Sequence, residues 1–263
     1  MRQTMNILNE LAEAAAARVT ADRQRTPVFE HFPEAVPFAF ENALRSEGMS
    51  FICEVKKASP SKGVIAEDFP FIQIAEEYEA AGASCISVLT EPDRFLGRDE
   101  HLVRIKERVS VPILRKDFTV DEYQLYQARA MGADAILLIC ALLDQTKIRK
   151  YLETADGLGL SCLVEAHDER EIETAVRAGA RIIGVNNRDL KTFQVDLRNS
   201  VRLRKLVPDD VLFVSESGIS SPEEIRLLAE NRVDAVLIGE SLMRSADKKA
   251  FLDHLRGGCR GQN

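Results

Sequence analysis

The chain is poor in histidine and cysteine, and neither is spaced to hold a metal. His31, His101, His167 and His254 are scattered, and no two of the five cysteines share the short spacing of metal ligands, so no metal site is expected. Cys53, Cys85, Cys140 and Cys162 each fall inside an expected strand, so buried reduced thiols in a cytoplasmic protein explain them. Positive charge is in deficit, with 35 Lys and Arg against 42 Asp and Glu. Nucleic-acid binding draws on clustered cations that neutralise phosphates, so no nucleic-acid partner is expected. The longest apolar run, Ala135 to Leu143, falls well short of the about 20 residues that cross a bilayer. Met1-Arg2-Gln3-Thr4 does not lead into a signal-peptide core, and no membrane partner is expected. What remains is one acidic globular domain of 263 residues, 45% hydrophobic, acting on small molecules.

Against these absences stands one repeated pattern. Six apolar segments end in an ionisable or amide side chain: Phe51 to Lys56, Val111 to Lys116, Leu160 to Glu165, Ile182 to Asn186, Val211 to Glu216 and Ala235 to Glu240. An unpaired buried charge costs several kcal/mol, on the order of a small domain's whole stability, so those ends must open onto a shared cleft. Strands are expected at 51–56, 83–89, 111–116, 134–140, 160–165, 181–186, 211–216 and 234–239. Ala81-Gly82-Ala83, Met131-Gly132-Ala133 and Ala178-Gly179-Ala180 read as helix end, turn and next strand, with glycine as the left-handed cap. Amphipathic helices lie between, such as Phe71 to Ala80 and Glu223 to Glu230, the latter entered through Ser220-Ser221-Pro222.

Eight strands alternating with helices over about 200 to 250 residues predict an α/β fold, a (βα)8 TIM barrel whose site lies at the C-terminal strand ends. A doubly wound sheet also alternates strand and helix, but its ligand crevice sits at one switch point and needs no polar group on so many strands. Glu165, Asn186, Glu216 and Gly239 are 21, 30 and 23 positions apart, close to one βα unit each. Residues 1–50 form an N-terminal helical extension, with helices at Asn6 to Val19 and Phe38 to Ser46 around a proline-broken segment. It is too small for its own core and packs on the barrel. Its Phe38-Ala39-Phe40 stretch, just before the first catalytic strand, is expected to cover part of the barrel mouth. The barrel takes residues 51–256, and 257–263 form a tail.

Three constellations carry chemistry. Lys56 to Gly63, the loop after the first strand, supplies lysines, a glycine and the hydroxyls of Ser59 and Ser61, which suit an anion or simply a solvated loop. Lys56 shares its strand face with Glu54 and Ile52, which favours the functional reading. Ser215 to Ile219 and Ile238 to Leu242 place Gly218 and Gly239 after the last two strands, where many barrels bind phosphate. Lys116 and Glu165, with Glu54, Asn186 and Glu216 nearby in projection, suit a general acid and base, or equally structural ion pairing. His167, two residues beyond Glu165, is within reach of a ligand, though a loop histidine is more often solvated.

Together these segments resemble the indole-3-glycerol-phosphate synthase family, barrel enzymes of tryptophan biosynthesis. The matching stretches are Glu54 to Gly63, Leu114 to Phe118, Val164 to His167, Gly184 to Leu190, Ser215 to Ile219 and Gly239 to Met243. The N-terminal extension is similar too, whereas in the loop Thr90 to Gly97 the family often has two aromatics in a row and Arg94 fills one place. The resemblance implies a carboxy-lyase that needs no cofactor: 1-(2-carboxyphenylamino)-1-deoxyribulose 5-phosphate loses carbon dioxide and water to give indole-3-glycerol phosphate. It makes Lys116 the general acid at the ribulose carbonyl and Glu165 the acid/base partner in dehydration. Lys56 contacts the anthranilate carboxylate. Glu54, Asn186 and Glu216 bind the sugar hydroxyls, with Ser217 at the same mouth. Arg188 meets an anionic group, backbone at Gly218, Gly239 and Glu240 holds phosphate, and Phe95, Phe118 and Leu137 line an aryl slot. The expected partner is a phosphorylated small molecule, and the expected assembly a monomer or weak homo-oligomer. Phosphoribosylanthranilate isomerase would need a cysteine at a strand end and an epimerase metal ligands, while a catalytically silent phosphosugar-binding protein on the same barrel would not need both Lys116 and Glu165.

Overall fold

A computed structural model describes residues 7–189 and 192–259. Asn6, the expected helix start, Leu190 of the Gly184 to Leu190 stretch, and 260–263 of the expected tail lie outside the described residues. Among the described residues ten strands occur: β1 Ser50–Val55, β2 Ala58–Ser59, β3 Gly63–Val64, β4 Cys85–Leu89, β5 Ile113–Lys116, β6 Ala135–Ile139, β7 Ser161–Ala166, β8 Ile182–Asn186, β9 Leu212–Glu216 and β10 Ala235–Ile238. Eight of them close into a parallel barrel in the order β1-β10-β9-β8-β7-β6-β5-β4. The helices are α1 Ile7–Arg25, α2 Ala39–Leu44, α3 Phe71–Ala80, α4 Asp99–Lys106, α5 Tyr123–Ala130, α6 Gln145–Gly157, α7 Glu169–Ala178, α8 Arg198–Arg204, α9 Pro222–Glu230, α10 Glu240–Arg244 and α11 Lys248–Arg256. None of the described helices is long and apolar enough to cross a membrane.

The strands read as continuous apolar runs because both their faces are buried. Ile52, Leu114, Leu137, Leu163, Val214 and Leu237 fill the barrel interior. Their alternates Cys53, Val55, Ile136, Val164, Phe213 and Val236 pack outward against the helices. Helix ends follow the local sequence. Gly82, Gly132 and Gly179 all sit at φ between 82° and 93°, the left-handed region that closes a helix. At α9 the Ser221 side chain accepts from the Glu224 amide while the Glu224 carboxylate accepts from the Ser221 amide, a reciprocal capping box with proline in the first turn. Ser221→Ala is expected to cost about 1 kcal/mol, read as a lower urea midpoint with unchanged slope.

Several boundaries differ from the sequence reading. Strands β4 and β5 begin two residues late, since Ala83-Ser84 and Val111-Pro112 remain in the turn. Cys140 lies one residue past β6 and is half-buried. The loop after β1 forms the antiparallel β2-β3 hairpin, turned through Pro60, Ser61 and Lys62 into Gly63 at φ 64°. Helix α1 continues past Val19 to Arg25. Gly257–Cys259 is a short 3-10 turn with Gly258 against Pro222, so the described part of the tail packs on α9.

The largest correction concerns Phe38-Ala39-Phe40. Phe40 and Leu44 are buried in the interior cluster with Ile52, Cys85 and Ala135. The Glu41 amide donates to Ser161 Oγ at the start of β7, and Ser50 Oγ, at the start of β1, donates to Ala43 O. Helix α2 therefore plugs the N-terminal end of the barrel, opposite the mouth. It does so because an eight-stranded barrel ends in apolar side chains that need a cover at the bottom as well as the top.

Candidate active site

The C-terminal strand ends enclose a cleft of about 390 Å³. All the candidates but His167 line it: Glu54, Lys56, Ser59, Ser61, Phe95, Lys116, Phe118, Leu137, Glu165, Asn186, Arg188, Glu216, Ser217, Gly218, Gly239 and Glu240.

At its floor, the Lys116 ammonium, delivered by the last residue of β5, lies 3.2 Å from Glu165 Oε2 and 3.4 Å from Glu216 Oε2. Lys56 Nζ donates to Glu54 Oε1. Asn186 Oδ1 accepts from Ser217 Oγ at 3.0 Å and from the Arg188 amide at 3.1 Å, while its Nδ2 reaches Glu165 Oε1 at 3.5 Å. Ser217 holds φ 69°, an unfavourable region for a residue with a side chain, and that turn aims its hydroxyl at Asn186. Two glycines keep the floor open. A Cβ on Gly184 would stand 2.2 Å from Glu216 Oε1, and one on Gly239 2.4 Å from Glu54 Oε1 and 2.6 Å from Lys56 Nζ.

Burial works against the Lys116 charge, but the carboxylates of Glu165, Glu216 and Glu54 outweigh it and hold its pKa well above the ordinary lysine value. Burial also opposes ionisation of Glu165; Lys116 and His167 prevail and hold its carboxyl far below the usual range. At Glu216 burial wins, reinforced by Glu165 and Glu54 against the pull of Lys116, and lifts the pKa to about 7. Glu216 shares Lys116 with Glu165, and its Oε1 has no hydrogen-bond partner among the described residues, so its ionised form is the least supported of the three carboxylates.

At one end of the cleft Glu240 opens α10, with Lys62 3.4 Å and Arg188 3.8 Å from its carboxylate oxygens. The rings of Phe95 and Phe118 stand 6.3 Å apart in the same cleft, which Leu137 also lines. The wholly buried Glu91 accepts the amides of Asp93, Arg94 and Phe95 at 2.8–2.9 Å and so fixes the loop that carries Phe95. Arg94 turns away, onto Glu10 of α1 at 3.2 Å, and leaves the slot to Phe95. Missing from the sequence reading are Ile7, Leu8 and Leu11 of α1, which also line the cleft. Leu8, Leu11, Ala15 and Val19 make a readable stripe, but nothing in the spacing says what the stripe faces.

The family model described as indole-3-glycerol phosphate synthase matches residues 8–255. The chain belongs to that family. It is 62% identical over 221 residues to the indole-3-glycerol phosphate synthase of Ruminiclostridium cellulolyticum, covering 84% of this chain and 85% of that one. The indole-3-glycerol phosphate synthase of Endomicrobium trichonymphae is 60% identical over 218 residues, covering 83% and 84%. That of Thermoanaerobacter pseudethanolicus is 45% identical over 259 residues, covering 96% and 99%. Among solved structures, 3-hexulose-6-phosphate synthase from Salmonella typhimurium superposes with a TM-score of 0.67 at 15% identity, over 82% of this chain and all of that one, a likeness of fold alone.

The raised Glu216 has a consequence for stability in this member of the indole-3-glycerol phosphate synthase family. A carboxyl whose folded pKa lies above its unfolded value binds its proton more tightly when folded, so its contribution is full below about pH 4.5 and is lost as pH rises through about 7. Glu216→Gln is therefore expected to melt a few degrees higher than wild type at pH 8, with the difference vanishing near pH 4, while turnover falls. A lower melting temperature at pH 8 would show that the Glu216 charge is stabilising.

Proposed function

We propose that this cleft closes the indole ring by general acid/base catalysis without a cofactor, converting 1-(2-carboxyphenylamino)-1-deoxyribulose 5-phosphate to indole-3-glycerol phosphate, carbon dioxide and water. The observation that carries the reading is the Lys116 ammonium held between Glu165 and Glu216 in a cleft that Phe95, Phe118, Leu137 and the glycine loops also line. Lys116 donates a proton to the ribulose C2 carbonyl oxygen as the ring carbon bearing the carboxylate attacks C2. Carbon dioxide then leaves that carbon, returning its electron pair to the ring. The new C2 hydroxyl departs as water with a proton from Lys56, and Glu165 takes the proton that the new ring must lose to become aromatic.

Glu54, Asn186, Glu216 and Ser217 contact the sugar hydroxyls and orient the two lysines. Phe95, Phe118 and Leu137 hold the aryl ring, and Lys56 with Ser59 and Ser61 faces its carboxylate. Arg188 and the backbone at Gly218, Gly239 and Glu240 receive the phosphate, in loops that many barrels use for this purpose. Two anchors on a rigid barrel press the aryl carbon against the carbonyl, which is how positioning lowers a ring-closing barrier. Free cysteines and a formal charge of −7 support a cytoplasmic enzyme that acts without nucleic acid.

Incubation with the carboxyphenylamino-deoxyribulose phosphate should generate indole fluorescence, against a chain that contains no tryptophan. A substrate lacking its phosphate should show a Michaelis constant raised by roughly a hundredfold or more, since charge-assisted contacts are worth about 1.5–3 kcal/mol each. Equal calorimetric affinity for both substrates would remove the phosphate from the glycine loops.

A further inference from the structure

We propose that His167 is a positioning residue for Glu165, an imidazolium clamp that holds the carboxylate in the orientation its proton transfer requires; the inference rests on the role given to Glu165 above. His167 stands one residue beyond β7, on the same alternation as Glu165, and does not line the cleft. Its Nε2 lies 3.2 Å from Glu165 Oε1, at ion-pair distance though out of hydrogen-bond alignment, and its Nδ1 3.0 Å from Glu171 Oε2 in the first turn of α7. The same Glu171 oxygen accepts the His167 backbone amide at 2.8 Å, and the His167 carbonyl accepts Asn199 Nδ2 of α8 at 3.2 Å. Main chain and ring are thus gripped independently of the substrate.

A ring between two carboxylates serves both only if both nitrogens carry protons, since a neutral imidazole would turn a lone pair toward one of them. Burial pulls against the charged form, but Glu165 and Glu171 outweigh it and push the His167 pKa up to about 10. Asp168 caps α7 beside it, and the Cys140 thiol after β6 is held neutral, pushed up to about 12 by burial and by Glu171, Glu165 and Asp168.

The arrangement divides Glu165 between two cations, Oε2 toward Lys116 and Oε1 toward His167, with Asn186 at 3.5 Å from the same Oε1. Without His167 the carboxylate is free to rotate until both oxygens face the Lys116 ammonium. That closer pair would occupy the proton Lys116 must deliver and turn Glu165 away from the ring proton it must take. His167 therefore keeps the acid and the base apart as well as near.

The test compares His167→Ala, His167→Gln and Glu165→Gln in the full-length protein. His167→Ala is expected to lower kcat about tenfold with KM within about twofold, because the loss falls on alignment rather than on binding. His167→Gln, which offers an N–H donor to Oε1, should recover most of that loss. Added to Glu165→Gln, His167→Ala should cause no further loss, and the His167 ring, followed by NMR, should titrate well below about 10 in Glu165→Gln. His167→Ala at wild-type kcat over an inactive Glu165→Gln would overturn the positioning role alone. Equal kcat losses in alanine and glutamine variants, tracking a common fall in melting temperature, would overturn it in favour of a purely structural contact. A fully active Glu165→Gln would remove the assignment of Glu165 and this proposal with it.

Discussion

Lys116→Met should lose nearly all turnover, by roughly 10²–10⁴-fold or more, and bind substrate within a modest factor of wild type. Among the described residues the ammonium is the single cation shared by Glu165 and Glu216 on the cleft floor, and the surrounding carboxylates keep it charged at neutral pH. A methionine of similar length keeps the packing of the β5 end while removing the acid. The fold should survive the change, since Glu165 retains His167 as a counter-ion and Glu216, already near neutrality, takes up a proton. The anchors at the two ends of the cleft are untouched, so binding changes little and the loss falls on kcat. Single-turnover indole fluorescence together with calorimetric binding checks both halves. Wild-type kcat would remove Lys116 as the acid, and loss of binding in proportion to loss of rate would make it a ground-state contact.

The cleft was legible in the sequence because barrel strands alternate strictly. Once Glu54, Lys116, Glu165, Asn186 and Glu216 stand at the ends of apolar runs, the period of two and the closure of the sheet bring them together. Capping was legible for the same local reason: Ser221-Pro222 and Gly179 act within a few residues of themselves. What escaped depends on contacts between segments far apart in the chain. The stripe of Leu8 and Leu11 gives an apolar face without an address, and Phe40 looks the same in sequence whether it covers the top of the barrel or the bottom. In sequence His167 reads as a loop residue that solvent would claim, because Glu171, one helical turn on, becomes its partner only when the short turn after β7 folds back. The family resemblance supplied the substrate, which charge and spacing never name.

Two truncations should separate the functions of the extension, and they should fail in different ways. Removing residues through Thr26 deletes α1, whose Ile7, Leu8 and Leu11 line the cleft beside Phe95 and Phe118. It also removes Arg18 from Asp117, Arg23 from Asp121, and the Thr26 carbonyl from Tyr123 Oη. The barrel bottom keeps its plug, so this protein should melt cooperatively while its aryl slot lies open to water, with a raised Michaelis constant and a reduced turnover number. Extending the deletion through Arg45 also removes Phe40 and Leu44, both essentially fully buried, and the ion pair of Glu41 with Arg181. Burial of such side chains is worth about 1.5–3 kcal/mol each, and the interior residues they cover would meet water as well. At about 2–4 °C for each kcal/mol, the longer truncation should melt more than 10 °C lower than the shorter, or lose its cooperative transition altogether. Calorimetry and kinetics on both proteins check the division. Equal melting temperatures would show that α2 is no part of the core, and wild-type kinetics in the shorter truncation would show that α1 takes no part in the aryl slot.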